Sequence, residues 1–130
     1  MSDEEKVGQL ILFGMQGTQV NDDVRYMLSE YKMGGIILFD RNMESKEQVA
    51  ALIQDLQKAA RQKWKSTASF VAIDQEGGWV ARLSSELVKV PAAEQLGQGT
   101  PAEAAKLALE SGKELKSLGL MWTLHRLPIW

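Results

Sequence analysis

The chain has 130 residues, of which 45% are hydrophobic and 25% charged, and its formal net charge is −2. These values are typical of one globular domain and exclude the basic stripe of a nucleic-acid-binding protein. The absence of cysteine excludes disulfides and thiolate metal sites.

No apolar stretch approaches the ~20 residues needed to cross a bilayer. The first residues lack the apolar core of a signal peptide. As written, the sequence predicts a cytoplasmic protein, and the native compartment stays open. A short basic cluster is interpreted as the solvated end of a helix; its members are Lys58, Arg61, Lys63 and Lys65.

Capping patterns divide the first part of the chain. Ser2 and Glu5 form a capping-box pattern at the start of a first helix. Residues 11–14 fit either the end of this helix or a short strand. Asn21 predicts the N-cap of a second helix. We expect that helix to end at residues 34–35, because glycine accepts the left-handed C-cap conformation.

Two continuous apolar runs, residues 36–39 and 69–73, are typical of strands buried on both faces of a parallel sheet. Between them, Ser45 and Gln48 form a second capping box. An amphipathic helix follows, with its apolar positions at Val49, Leu52, Ile53 and Leu56.

The clearest helix start comes after the second run. Thr100 is a predicted N-cap, Pro101 occupies the first helical position, and Glu103 closes the box. Strands that alternate with amphipathic helices predict an α/β fold with a parallel sheet. We expect Gly119 to end this last helix, and its apolar face to consist of Ala105, Ala108, Leu109, Gly112 and Leu115.

Ligand sites in such folds lie at the carboxyl ends of strands, and residues 40–42 and 74–78 both qualify. Asp74 and Glu76 would share a face if the strand continued through them. Glycosidases use paired carboxylates ~5–9.5 Å apart, so a catalytic pair is one interpretation. The other is that Asp74 positions a ligand while Glu76 braces the turn at residues 77–78.

Arg82 is a further candidate. Its forked guanidinium can donate to hydroxyls or to a carboxylate of a ligand, or it can form a surface salt bridge. No metal or cofactor is predicted. Residues 40–44 begin like a calcium loop, but the glycine that such a loop has at its sixth position is absent. His125 is the only histidine, so the sequence has no multi-histidine metal site.

Several segments, in order, resemble the N-terminal half of family 3 glycoside hydrolases. The sequences of residues 41–42 and 74–78 are most similar to those of the β-N-acetylhexosaminidase branch, which hydrolyses terminal N-acetylglucosamine from cell-wall fragments or chitin oligomers. The matching segments are residues 6–10, 34–39 with 41–42, 73–78 with Val80 and Arg82, 90–92, and 112–119.

The resemblance implies a TIM-type (β/α)8 barrel and a retaining mechanism through a covalent glycosyl-enzyme intermediate. It implies that Asp74 hydrogen-bonds the sugar and that Arg82 lines the same pocket. The glutamate that matches Glu76 is neither acid nor nucleophile in the family. Trp79 departs from the small or basic residue expected at its position. The implied partner is a small saccharide containing N-acetylglucosamine, with no cofactor.

A barrel of this type needs about 250 residues. We therefore expect residues 1–119 to form the N-terminal half of the barrel domain, without the nucleophile and the acid/base, and to be inactive alone. The sequence of residues 120–130 does not match the next strand of the family, whereas the translation of the same segment in a shifted reading frame would match it. This suggests a frameshift tail in which the true fourth strand of the family is absent.

An open half-barrel leaves sheet edges unpaired, which predicts self-association. Two alternatives to a glycosidase fragment remain. One is a non-catalytic carbohydrate-binding or interaction domain that keeps Asp74 and Arg82. The other is a small complete enzyme that uses Asp74 and Glu76 as its carboxylate pair.

Overall fold

Four parallel strands form one sheet in the order β1-β2-β3-β4 in the computed structural model, which describes residues 1–63 and 69–124. The strands are β1 (Leu12–Gly14), β2 (Gly35–Leu38), β3 (Phe70–Asp74) and β4 (Trp122–Leu124). The helices are α1 (Asp3–Gln9), α2 (Asp22–Ser29), α3 (Lys46–Lys63), α4 (Ala93–Gly97) and α5 (Pro101–Ser117), with a 3₁₀ turn at Asp40–Asn42.

Each strand pairs with the next strand in the sequence, and the connection between the two contains at least one helix. That succession is how consecutive βα units build a barrel wall. The predicted α/β fold with a parallel sheet is confirmed. Residues 11–14, for which helix and strand were both open, contain the strand β1.

The hydrophobic core lies between the sheet and the helices. Ile36, Leu38, Val71 and Ile73 are buried there against helix residues that include Val49. Because side chains alternate along a strand, Phe70, Ala72 and Asp74 project from the opposite face of β3. Asp74 is therefore at the carboxyl end of the face that turns away from the helices.

The predicted helix starts are largely confirmed. Ser2 and Thr100 each form a reciprocal capping box, and Asn21 Oδ1 accepts from the Val24 backbone N–H at 2.9 Å. The box at Ser45 is half formed. Ser45 Oγ accepts from the Gln48 N–H at 3.1 Å, but the Gln48 side chain turns to other backbone groups.

The predicted end of α2 at residues 34–35 is wrong, because the helix ends at Ser29. Lys32, not a glycine, adopts the left-handed conformation, with φ of 55°. Gly34 serves close packing instead. A Cβ atom there would lie 2.2 Å from the Gln9 carbonyl oxygen, so α1 can approach the start of β2 only at a glycine.

The predicted apolar face of α5 is also wrong except at Leu115. Ala105, Ala108, Leu109 and Gly112 are exposed, whereas Ser111, Leu115 and Leu118 are buried. Alanines at 102, 104, 105 and 108 fall on several sides of the helix, so they give little directional signal. The rotation of α5 is instead fixed by Leu115, together with Glu114, which bonds to the neighbouring loop.

The tail itself supplies a fourth strand, and the absence of the family's own strand sequence stays a prediction. Trp122, Thr123 and Leu124 pair in parallel with Ala72, Ile73 and Asp74. The Met121 N–H donates to the Val71 carbonyl at 3.0 Å and extends this pairing. Alternating apolar residues around a β-branched threonine suit a strand, whatever the origin of the segment. The frameshift origin of residues 120–130 stays a hypothesis about the gene.

Three sequence features lie at least partly outside the described residues: Lys65 of the basic cluster, His125, and the tail after residue 124. Among the helices in residues 1–63 and 69–124, none combines the length and the apolar character that crossing a bilayer requires.

Candidate saccharide site at the carboxyl edge of the sheet

Asn42 fixes the loop after β2 to the loop after β1. This side chain is fully buried, and its Nδ2 donates to the carbonyls of Met15 at 3.1 Å and Gly17 at 2.8 Å. Its Oδ1 accepts from the Phe39 N–H at 2.9 Å. Arg41 reinforces the same link, since its Nε donates to the Met15 carbonyl at 3.1 Å. The 3₁₀ turn that carries Asp40 is thereby held at the edge of the sheet.

Arg82 brings the two sequence candidates at this edge together. Its Nη1 donates to Asp40 Oδ2 at 2.5 Å, and its Nη2 donates to Asp74 Oδ2 at 3.4 Å. The Arg82 side chain is 14% exposed, while those of Asp74 and Asp40 are 27% and 70% exposed. The guanidinium is thus largely enclosed between two carboxylates that solvent, and therefore a ligand, can reach.

The structure confirms that Arg82 forms ion pairs, and ligand binding by Arg82 stays a prediction. These pairs lie at the ends of two adjacent strands, and the guanidinium itself is mostly buried. An arginine fork placed between two carboxylates orients both of them. The cluster carries one positive and two negative charges and offers acceptors to hydroxyl groups.

Gln75 is a site residue that sequence reasoning missed. It is buried, and its Oε1 accepts from the backbone N–H of Arg82 at 2.8 Å. Its own N–H donates to the Leu124 carbonyl at 3.3 Å. Gln75 therefore holds the start of the Arg82 segment against β3. The available signal was a polar residue directly after a buried strand, at a position where only an internal partner could satisfy it.

Residues 76–80 form a tight turn at the top of the sheet. The N–H groups of Glu76 and Gly77 both donate to the Val80 carbonyl, at 2.9 and 3.1 Å. Gly77 has φ of 84°, and a Cβ there would lie 2.3 Å from the Pro91 carbonyl oxygen. The turn can rest on the segment around Pro91 only because this position is glycine.

The catalytic-pair interpretation of Asp74 and Glu76 does not fit this geometry. Strand β3 ends at Asp74, so the condition that placed both carboxylates on one face is not met. Asp74 faces Arg82, whereas Glu76 lines a cavity of about 250 Å³ between α4, α5 and the end of β3. The backbone of Glu76 braces the turn, as the other interpretation held.

Glu114 anchors the loop that runs from Arg82 to α4. Its Oε2 accepts from the Val88 N–H at 2.6 Å, and its Oε1 accepts from Lys46 Nζ at 3.0 Å. The hydrogen bond from Val88, and after it that from Lys46, lowers the pKa of Glu114 from its ordinary value of 4.5. Glu86 on the same loop accepts from the Lys46 N–H at 2.9 Å. The loop is therefore tied to both α3 and α5.

The described residues of the site show no arrangement suited to a metal. Within residues 1–63 and 69–124, no three carboxylate or histidine side chains converge closely enough to hold an ion. What the described residues can do is present acceptors from Asp40 and Asp74, oriented by Arg82, to a polyhydroxylated ligand.

Known proteins share this sequence and fold. Residues 2–126 match the family model described as the glycosyl hydrolase family 3 N terminal domain. Beta-hexosaminidase A of Pseudoalteromonas piscicida is 37% identical over 108 residues, covering 79% of this chain and 18% of that protein. The chain thus spans less than a fifth of the length of that relative.

Solved structures agree with the sequence matches. A glycoside hydrolase family 3 β-N-acetylglucosaminidase from Paenibacillus sp. str. FPU-7 superposes with a TM-score of 0.89 at 37% identity, over 95% of this chain and 24% of that chain. NagZ from Neisseria gonorrhoeae, in complex with N-trifluoroacetyl-D-glucosamine, superposes with a TM-score of 0.74 at 25% identity, over 85% and 33% of the two chains. On its sequence and its fold, the chain belongs to glycosyl hydrolase family 3, and residues 2–126 match the N-terminal domain of that family.

Proposed function

We propose that Asp74 and Arg82 bind the terminal N-acetylglucosamine residue of a saccharide, and that the whole protein hydrolyses the bond next to it as a β-N-acetylhexosaminidase. The observation that carries the proposal is the Arg82 guanidinium held between Asp74 and Asp40 at the carboxyl edge of a parallel sheet. Ligands of such folds bind at this edge.

The geometry gives each residue a share in recognition. Arg82 contacts Asp74 through Oδ2, and a carboxylate has a second oxygen with which to accept from a sugar hydroxyl. Because Gln75 holds the Arg82 backbone and Asp40 engages Nη1, the guanidinium stays in place when a sugar arrives. Such preorganisation lowers the ordering cost of binding.

The described residues supply recognition and not the chemical step. Asp40 and Asp74 are both engaged by Arg82, and Glu76 faces a different cavity. In the proposed retaining mechanism, the nucleophile and the acid/base therefore come from outside this cluster. The division at residue 119, with a partial barrel before it and a tail from a shifted reading frame after it, belongs to the same proposal.

Self-association through the end of the sheet at β4 is a second part of the proposal. At the start of β4, Met121 and Trp122 are half exposed, and the Trp122 ring contacts half-exposed Phe70 with centroids 6.1 Å apart. Unpaired strand edges with apolar side chains favour pairing with another chain. The alternative of a non-catalytic binding domain is not favoured, because the relatives carry the names of hydrolases.

Calorimetric titration with N-acetylglucosamine tests the binding proposal. We expect the native chain to bind, and Asp74→Asn to weaken binding by roughly tenfold, the effect of losing one charge-assisted hydrogen bond. Asp55→Asn, which changes an exposed i,i+3 ion pair on α3, is the matched control and leaves affinity unchanged. Absence of heat with the native chain would contradict the proposal.

A further inference from the structure

Trp79 is a large aromatic side chain that the fold leaves fully exposed. It occupies the apex of the turn at residues 76–80, directly after the strand that presents Asp74. Single exposed apolar residues are common on protein surfaces. Trp79 differs from such residues in the rigidity of its support and in its place on the loop that joins Asp74 to Arg82.

The backbone that carries Trp79 is fixed on both sides. Before it, the Gly78 N–H donates to the Val90 carbonyl at 2.9 Å. After it, the Val80 carbonyl accepts from two N–H groups of the same turn, and the Val80 N–H donates to the Gly77 carbonyl at 3.2 Å. A ring presented from a fixed turn loses little freedom when a ligand stacks on it.

The loop that holds Trp79 begins and ends at the proposed saccharide site. Gln75 and Arg82, at its two ends, are joined by the 2.8 Å hydrogen bond from the Arg82 N–H, and Arg82 returns to Asp74. Trp79 is three residues before Arg82, so the two Cα atoms are at most about 11 Å apart. That reach suits a sugar adjacent to the one held by Asp74.

We propose that Trp79 is an aromatic platform for a second sugar, the residue linked to the terminal N-acetylglucosamine of a chitin-type oligosaccharide. The faces of a pyranose ring carry C–H groups that can lie on an indole face, which is electron-rich and apolar. The inference rests on the proposed function, because it takes the Asp74–Arg82 cluster as the place of the first sugar.

The chemistry around Trp79 favours a sugar over an apolar protein surface. The cluster it adjoins consists of two carboxylates and a guanidinium, which would be costly to cover with an apolar partner. A polyhydroxylated ligand can satisfy those groups and still place a C–H face on the indole.

Titration of the native chain, Trp79→Ala and Trp79→Phe with N-acetylglucosamine and with its β-1,4-linked disaccharide tests the inference. We expect Trp79→Ala to weaken disaccharide binding by roughly tenfold, the loss expected for about 50 Å² of apolar contact, and to leave monosaccharide binding unchanged. Trp79→Phe keeps most of the disaccharide affinity. Tyr26→Ala removes an exposed aromatic from α2 and serves as the control without effect.

Thermal stability provides a further control, because a fully exposed side chain makes no packing contact that its removal could abolish. The thermal midpoint of Trp79→Ala should equal that of the native chain. Equal disaccharide affinity in native and Trp79→Ala proteins would overturn the platform and leave the proposed function standing, as would equal weakening for both ligands. Failure of the native chain to bind either ligand would overturn the proposed function and the platform with it.

Discussion

Arg82 donates from Nη2 to Asp74 Oδ2 at 3.4 Å although the two residues are eight positions apart. The chain therefore leaves the sheet at Asp74, makes the glycine turn and returns to the same strand end. This closure brings a strand terminus and a loop together into one candidate site. Without it, Asp74 would be an isolated carboxylate at the rim, and Arg82 a surface arginine.

Replacing Arg82 by lysine should weaken N-acetylglucosamine binding, since a single ammonium cannot fork between two carboxylates. We expect a loss of roughly tenfold in affinity for Arg82→Lys and a larger loss for Arg82→Ala, which removes the guanidinium that pairs with Asp40 and Asp74. Titration calorimetry measures both. Arg25→Lys on the exposed side of α2 is the control. Native affinity in Arg82→Lys would show that the fork is dispensable.

Local signals in the sequence predicted local structure well. The capping box at Thr100 needs only residues three apart, so its pattern was sufficient. The end of α2 was not predictable in this way. The left-handed Lys32 is held by a hydrogen bond from Gln9 Nε2 to its carbonyl at 2.6 Å, a contact that exists only after α1 has packed beside it.

The same distinction between local patterns and long-range contacts applies to the candidate site. Its position at the carboxyl ends of the strands followed from the predicted βαβ order, and Asp74 and Arg82 were singled out from motif and resemblance. The contact of Arg82 with Asp40 joins residues 42 positions apart, and it depends on how the intervening loops fold. The role of Gln75 could not be predicted, because its side chain accepts from a backbone N–H whose position the sequence alone does not give.

The purified 130-residue chain should give no hydrolysis of 4-nitrophenyl N-acetyl-β-glucosaminide above the buffer rate. The reason is that Asp74 is engaged by Arg82, while Glu76 faces the cavity beside α5, so the two do not act across one bond. Release of 4-nitrophenolate measures the rate. A clear signal that disappears in both Asp74→Asn and Glu76→Gln would restore the catalytic pair; a signal unaffected by either would indicate a contaminant.

Self-association through β4 should depend on Trp122. Trp122→Lys places a charge on the half-exposed end of the sheet, next to Phe70, and should shift the chain toward the monomer in sedimentation velocity. Val7→Lys changes an exposed apolar residue on α1 and should leave the distribution unchanged. A native chain that sediments as a monomer at every concentration would contradict this part of the proposal.

Acid should weaken the anchor of the Arg82 loop. The pKa of Glu114 is lower in the folded chain than its ordinary value of 4.5, so its contribution to stability is present above that value and is lost as the pH falls through the folded pKa. Thermal unfolding of native and Glu114→Gln proteins between pH 3 and 7 measures it. The gap in midpoint should be largest above pH ~4.5 and should shrink below it. Glu110→Gln, at an exposed position of α5, should show no such narrowing gap.

Three glycine-to-alanine substitutions distinguish two contributions of Gly77 to stability, its close approach to the Pro91 segment and its backbone conformation. Gly17→Ala tests a positive φ of 78° in open space and should cost about 1 kcal/mol in urea denaturation. Gly97→Ala has neither constraint, and since it ends α4 it should leave stability unchanged or raise it by up to ~1 kcal/mol. Gly77→Ala combines a positive φ with a Cβ only 2.3 Å from the Pro91 carbonyl oxygen, so its cost should be about 3 kcal/mol or more. Equal costs at Gly17 and Gly77 would mean that the Pro91 segment moves aside and that the turn carrying Trp79 is not fixed against it.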